Sequence, residues 1–260
     1  MTASSTMPRT WSPSTWAISG LDRGAGMGHL TGPPPRTAAL SERPISTPVA
    51  RKSRNPAPRA WQRMLSGRRL DLLDPSPFDI EIEDIAHGLA RVARWNGQTI
   101  GEHAFSVAQH SCVVEDIAVH MKPDLDPRWR LAALLHDASE YVIGDMISPF
   151  KSALGVNYKD FEARLESAIH VRFGLPPKSP VAIKTLIKKA DRACAFFEAT
   201  QLAGFERSES LKLFGAPPAG FHLTIDPLPA PVAQTRYIER YRALAEAVGI
   251  LPGAHPRPSE

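Results

Sequence analysis

Cysteine is scarce, with Cys112 and Cys194 the two in 260 residues. Two cysteines so far apart build no disulfide framework, and they lack the paired spacing of a structural zinc site. Their ordinary role is that of small buried hydrophobes, a usage that fits a cytoplasmic protein. Long apolar runs are missing too. No stretch reaches the ~18 apolar residues that a membrane-spanning helix needs, so no membrane partner is expected. A basic excess is absent where it would matter. The formal net charge is +4, yet residues 1–60 hold eight Arg or Lys against two acidic groups. That leaves 23 basic and 25 acidic groups in the other 200 residues. A slightly acidic domain is a poor match to nucleic acid.

Proline is abundant, and it divides the chain. Residues 1–60 are rich in Pro, Ser, Thr, Gly and Arg, include Pro33-Pro34-Pro35, and sustain no helical or strand period. Such a segment buries too little apolar surface to offset its ordering entropy, so a disordered extension is expected. It resembles a transit peptide in composition but lacks the amphipathic helix of one. A mundane alternative is a start codon placed too early in the gene, with the natural chain beginning near Met64. Residues 61–260 form the second unit, long enough to bury a core of its own.

That unit reads as all-α, a helical bundle of about six main helices. Apolar spacing predicts helices near 83–95, 104–121, 128–142, 157–173, 180–202 and 232–248. Asn96-Gly97 reads as the stop of the first, and Ser179-Pro180 as an N-cap followed by an N1 proline. Residues 68–83 alternate weakly, as a short strand or an extended wrap, and 203–230 read as irregular. The acidic run Glu81–Asp84 reads as a charge bias at a helix N-terminus.

The chemistry is concentrated in residues 131–151. An apolar helix opens there and then places His136, Asp137, Glu140 and Asp145 within ten residues. On a regular helix His136, Asp137 and Glu140 share one face. Elsewhere two polar residues sit on stripes that should be apolar: His110 among Val107, Val114 and Ile117, and Asp191 between Ile187 and Cys194. Either alone has a bland reading, a satisfied core histidine or a carboxylate paired with Lys188 or Arg192. A buried carboxylate is costly unless paired or metal-bound. Two imidazoles and two carboxylates from three helices suit a hard-to-borderline divalent cation.

The order His … His-Asp … Asp on helices resembles the HD-domain metal-dependent phosphohydrolases, and within them the bacterial 5′-deoxynucleotidases. Three segments carry the likeness: Val107-Ala108-Gln109-His110-Ser111, His136-Asp137-Ala138-Ser139-Glu140 with Gly144-Asp145 and Ser148-Pro149-Phe150-Lys151, and Ala190-Asp191-Arg192-Ala193-Cys194-Ala195. Arg94-Trp95, sixteen residues before His110, resembles the pair used near phosphate and base. The resemblance implies His110, His136, Asp137 and Asp191 as ligands of one divalent ion, with Mn, Co, Zn, Fe and Mg all compatible. It implies Glu140 as the group that activates the attacking water, Asp145 as the reader of the sugar 3′-hydroxyl, and Arg94 as the phosphate grip; Lys151 reads either as a solvated lysine or as a second phosphate contact. The implied reaction is release of phosphate from nucleoside, in particular deoxynucleoside, 5′-monophosphates by a metal-activated water. Gln109 stands where members often carry Glu, and His103, seven residues before His110, competes for the first ligand position.

Other readings are hydrolysis of a different phosphorylated metabolite, such as a nucleoside triphosphate or alarmone, and a nucleotide-binding regulator that has lost catalysis. Beyond Arg91, Arg94 and Lys151 few basic residues are expected near the pocket, which favours a small substrate. The expected partner is a small-molecule nucleotide, with a homodimer an open option.

Overall fold

The computed structural model describes residues 60–145 and 156–250. The proline-rich extension lies outside the described residues, as do residues 148–151 with Lys151. The described chain is all-α apart from one small hairpin. No helix of it is long and apolar enough to cross a membrane.

The hairpin pairs β1 (Trp61–Arg63) antiparallel with β2 (Arg69–Asp71), Gln62 opposite Leu70. The weak alternation after residue 68 thus resolves into β2, and β1 is an addition to the expected elements. Leu70 is wholly buried. The hairpin turn is tied to the bundle because the Ser66 N–H and hydroxyl both donate to Asp84. Glu81 pairs with Arg68 at 2.8 Å and Arg172 at 2.9 Å. The acidic run is therefore a set of tertiary anchors as well as a helix-end charge bias.

Helix α1 (Ile82–Leu89) ends six residues earlier than its apolar spacing suggests. The chain beyond it pairs elsewhere: Val92 C=O accepts from Val107 N–H, Arg94 N–H donates to Phe105 C=O, and Ala93 bridges Ser106. Helix α2 (Val107–Met121) then starts at Ser106, whose hydroxyl accepts the Gln109 N–H. Its stripe of Val107, Val114 and Ile117 is fully buried, worth about 1.5–3 kcal/mol per side chain.

The expected helix over 128–142 is broken in two. Helix α3 (Pro127–Leu134) has Asp126 as N-cap and Pro127 in its first turn, and α4 (Glu140–Ile143) follows. Between them the hydrogen bonds shorten to i→i+3: Ala138 N–H to Leu135 C=O, and Glu140 N–H to Asp137 C=O, both 3.0 Å. The shared face assumed for His136, Asp137 and Glu140 is thus set by a tighter coil than an α-helix.

Helix α5 (Val156–Arg172) and helix α6 (Val181–Gln201) match expectation, except that Pro180 rather than Ser179 occupies the N-cap of α6. Helix α7 (Arg207–Phe214) lies in the stretch read as irregular, and α8 (Ala230–Val248) closes on left-handed Gly249. Helices α2 and α6 pack together at the centre, α3 and α8 lie on α2, and α1 lies on α4 and α8. Tyr237 of α8 donates to Leu134 C=O at 3.2 Å, which anchors the end of α3 just before His136. Buried Glu115 of α2 is held by Arg130 of α3 and Arg240 of α8.

Candidate active site

Four side chains from three places converge. His110 comes from α2, His136 and Asp137 from the tight coil after α3, and Asp191 from the middle of α6. His110 Nε2 stands 3.5 Å from Asp137 and 3.4 Å from Asp191, and His136 Nε2 is 3.2 Å from Asp137. The ligand-type atoms of His110, His136 and Asp191 lie within 4.8 Å of one another. Asp191 thus faces His110 rather than Lys188 or Arg192, and the Arg192 guanidinium goes instead to Leu213 C=O.

The ring nitrogens of both histidines are sorted by their neighbours. His110 Nδ1–H donates to Glu198 Oε1 at 2.6 Å, and His136 Nδ1–H donates to Ala133 C=O at 2.9 Å. Both Nε2 atoms are buried without a hydrogen-bond partner. Buried polar atoms are seldom orphaned, and a cation among two imidazole lone pairs and two carboxylates removes the anomaly. Electrostatics agree. Burial works against ionising Asp137, but His136 and His110 hold its pKa well below the usual carboxylate range. Asp191 is likewise lowered, against burial, by its contact with His110. Burial and Arg94 oppose charge on His110, yet Glu198 and the other acidic neighbours raise its pKa well above the ordinary value. The spot favours positive charge.

Glu198, two turns after Asp191 on α6, is a site residue that the sequence reading missed. It is wholly buried. Oε1 accepts from His110 and from the Cys194 thiol at 3.1 Å, while Oε2 accepts from Trp95 Nε1 at 2.7 Å and Arg94 Nε at 3.3 Å. Burial would raise its pKa, but Arg94 and then His110 hold it well below the usual range. The signal was present in the sequence. The rule that singled out His110 and Asp191, a polar residue on a buried stripe, applies equally to a glutamate that follows Phe196-Phe197. His110, Cys194 and Glu198 also cluster closely enough to hold an ion. Their polar atoms already bond one another, however: burial pushes the Cys194 thiol up to about 12, so it keeps its proton and donates it to Glu198.

Arg94 and Trp95 lie in a 3₁₀ turn, Arg94–Gly97, in which Trp95 (φ 56°, ψ 28°) and Asn96 (φ 50°, ψ 32°) are both left-handed. Two successive non-glycine residues in this region are uncommon and costly. The expected helix stop at Asn96-Gly97 is this separate turn. Its indole packs on Phe205 and Phe214, with ring centroids 5.5 and 6.0 Å away. Arg94 also pairs with Asp145 at 3.3 Å. Glu140 is buried at the first residue of α4.

His103 sits in the loop before α2, and the ligand-type clusters among the described residues contain His110 instead. Gln109 uses both ends of its amide: its NH₂ donates to Asp226 C=O at 2.7 Å and its oxygen accepts from Leu228 N–H at 3.1 Å. Glutamate has no donor for the first bond, which accounts for an amide here. A cavity of about 250 Å³ adjoins the cluster, lined in part by His136, His170, Lys184, Lys188 and Asp191. Two lysines thus join the cavity that the sequence reading did not place there, and Glu166 and Asp191 on the same wall offset their charge.

Sequence comparison gives the chain a family. The 5′-deoxynucleotidase YfbR-like family matches residues 86–209, from α1 to α7. An uncharacterized protein of Rhodobacter capsulatus is 54% identical over 192 residues, which is 73% of this chain and 98% of that protein. The uncharacterized protein YfdR of Escherichia coli is 29% identical over 168 residues, 65% of this chain and 86% of that protein. With the matched segment spanning each of the four converging side chains, the chain belongs to the YfbR-like 5′-deoxynucleotidase family, within the HD-domain superfamily.

Proposed function

We propose that the protein is a metal-dependent phosphomonoesterase that releases phosphate from nucleoside 5′-monophosphates, deoxynucleotides foremost. The observation that carries this reading is the convergence of two orphaned buried imidazole nitrogens with two ionised carboxylates, next to a guanidinium. His110, His136, Asp137 and Asp191 would hold one divalent ion. When bound, that ion supplies a charge that polarises a phosphoryl oxygen and lowers the pKa of a water.

The chain's own groups supply the rest. Arg94 is fixed through Nε by Glu198 and through Nη1 by Asp145, so its fork is oriented before substrate arrives, and it offsets charge on the phosphate. Glu140, buried three residues after Asp137, takes the proton of the attacking water. Asp145 accepts from a sugar hydroxyl. Trp95 gives the base an aromatic wall. Lys151 stays a proposed second phosphate contact.

A nucleotide with additional phosphates is the second reading. Lys184 and Lys188 favour it, because both line the cavity that His136 and Asp191 share.

The test is phosphate release by metal-stripped protein, re-supplied with single divalent ions, on deoxy- and ribonucleoside monophosphates and one triphosphate. The expected result is metal-dependent release from the monophosphates. Asp137→Ala should lose both metal and turnover. Glu140→Ala should keep the metal and lose about 10²–10⁴ in kcat. Full turnover in Glu140→Ala would remove its assignment as base. Release from the triphosphate alone would move the substrate to the second reading.

A further inference from the structure

Glu198 uses every acceptor position it has. A carboxylate offers about four lone-pair sites, and four donors occupy them in two pairs, one pair per oxygen. Oε1 serves His110 and Cys194, on the side of the ligand cluster. Oε2 serves Trp95 and Arg94, on the side of the left-handed turn. A buried charge of this kind costs several kcal/mol before its partners are counted. The turn it holds is itself strained at two residues, and strain of this kind persists only where the surroundings impose it. Simple packing needs neither expense: a Leu or Met would fill the space between Phe196, Phe197 and α2.

We propose that Glu198 is a positioning residue that sets the ligand imidazole of His110 with one oxygen and the substrate-facing Arg94–Trp95 turn with the other. By accepting from His110 Nδ1–H it leaves the Nε2 lone pair directed at Asp137 and Asp191. By accepting from Trp95 and Arg94 it holds the turn in its left-handed form and orients the guanidinium. One rigid carboxylate thereby fixes the distance between the cation position and the phosphate grip. The assignment rests on the phosphohydrolase reading above, but its primary readout needs no substrate.

Glu198→Gln separates the two halves of this claim. The amide has one acceptor and one NH₂ donor, so in either orientation one pair of donors meets a donor. If the NH₂ faces His110, the imidazole must accept at Nδ1 and carry its proton on Nε2, where it blocks ligation. If the NH₂ faces Trp95 and Arg94, the turn loses its anchor.

The experiment is a Co²⁺ titration of metal-stripped full-length protein, followed by visible absorption, with KM and kcat for a deoxynucleoside monophosphate measured alongside. Glu198→Gln should weaken Co²⁺ binding or raise KM, each by roughly 10- to 100-fold, and should alter the Co²⁺ spectrum when binding is the half affected. Trp95→Phe should raise KM with Co²⁺ affinity unchanged, and the double variant should be no worse in KM than Glu198→Gln alone wherever that variant has lost the turn. If Glu198→Gln does not fold, Glu198→Asp takes its place, because the shorter side chain withdraws both oxygens and must show the same losses in smaller measure. Unchanged Co²⁺ affinity, spectrum and KM in a folded Glu198 variant overturns the proposal. Absence of Co²⁺ binding by the wild type overturns the phosphohydrolase reading itself, which keeps the two failures apart.

Discussion

Asp145 shows how the site divides its labour among single residues. It pairs with Arg94 at 3.3 Å and is largely buried, so two roles compete: reading a sugar hydroxyl, or merely steadying the guanidinium. Asp145→Ala separates them. A lost hydrogen bond to a charged acceptor is worth about 1.5–3 kcal/mol, or roughly 10- to 100-fold. If Asp145 contacts the sugar, KM for nucleoside monophosphates rises by that factor beyond whatever loss an aryl phosphate without a sugar shows, since the aryl phosphate reports the Arg94 contact alone. Equal losses on both substrates would assign Asp145 to Arg94 alone. At this scale the sequence was informative wherever a polar residue broke an apolar stripe, which is how His110 and Asp191 stood out before any geometry was known. Glu198 breaks the same kind of stripe. It was passed over because no motif pointed to it, and its four donors come from residues as distant in sequence as Arg94 and Trp95.

At the level of elements, the glycine in α1 governs where Glu140 sits. A Cβ added at Gly88 would meet Tyr141 Cβ at 2.8 Å, Tyr141 O at 2.9 Å and Tyr141 Cα at 3.1 Å. Backbone cannot swing aside as a flexible side chain does, so Gly88→Ala must push α1 and α4 apart. Overpacking of this sort costs about 1–3 kcal/mol, which thermal denaturation would register as a Tm lower by several degrees. Because Glu140 is the neighbour of Tyr141 and opens α4, kcat should fall while metal binding is retained. A folded Gly88→Ala protein with wild-type Tm and kcat would show that the α1–α4 contact does not position Glu140. The elements themselves were legible in proportion to the length of their apolar period. Helices α2, α5, α6 and α8 follow it closely. The break between α3 and α4 was hidden because Leu131-Ala-Ala-Leu-Leu135 and Tyr141-Val142 keep apolar residues coming, while the change to i→i+3 bonding leaves no mark in composition. Helix α7 was hidden by Gly204 before it and by Gly215 and Pro217-Pro218 after it, and the end of α1 by a pairing with the residues before α2 that local sequence cannot announce.

For the molecule as a whole, the two thiols report on the central packing. Cys112 lies on α2 and Cys194 on α6, the pair of helices at the middle of the fold. Burial pushes both thiols up to about 12. At pH 8 a thiol of that pKa is roughly one part in 10⁴ thiolate, whereas an unfolded thiol near its ordinary value is about a quarter ionised. Alkylation of Cys194, the fully buried thiol, by iodoacetamide at pH 8 should therefore be slower by roughly three orders of magnitude in the folded protein than in denaturant, and should follow global unfolding. The same shift fixes a pH dependence. With the folded pKa raised, the unfolded chain releases thiol protons first, so the stability due to these groups is complete only well below the ordinary thiol pKa of about 8.5 and declines as pH climbs toward about 12. Denaturant melts at pH 7.5 and pH 10 would show the decline, and changing both cysteines to alanine should remove that part of it. Rapid alkylation of Cys194 in the native protein at pH 8 would mean that α2 and α6 separate without global unfolding, and His110, the proposed ligand on α2, would then be held by a contact that opens on its own.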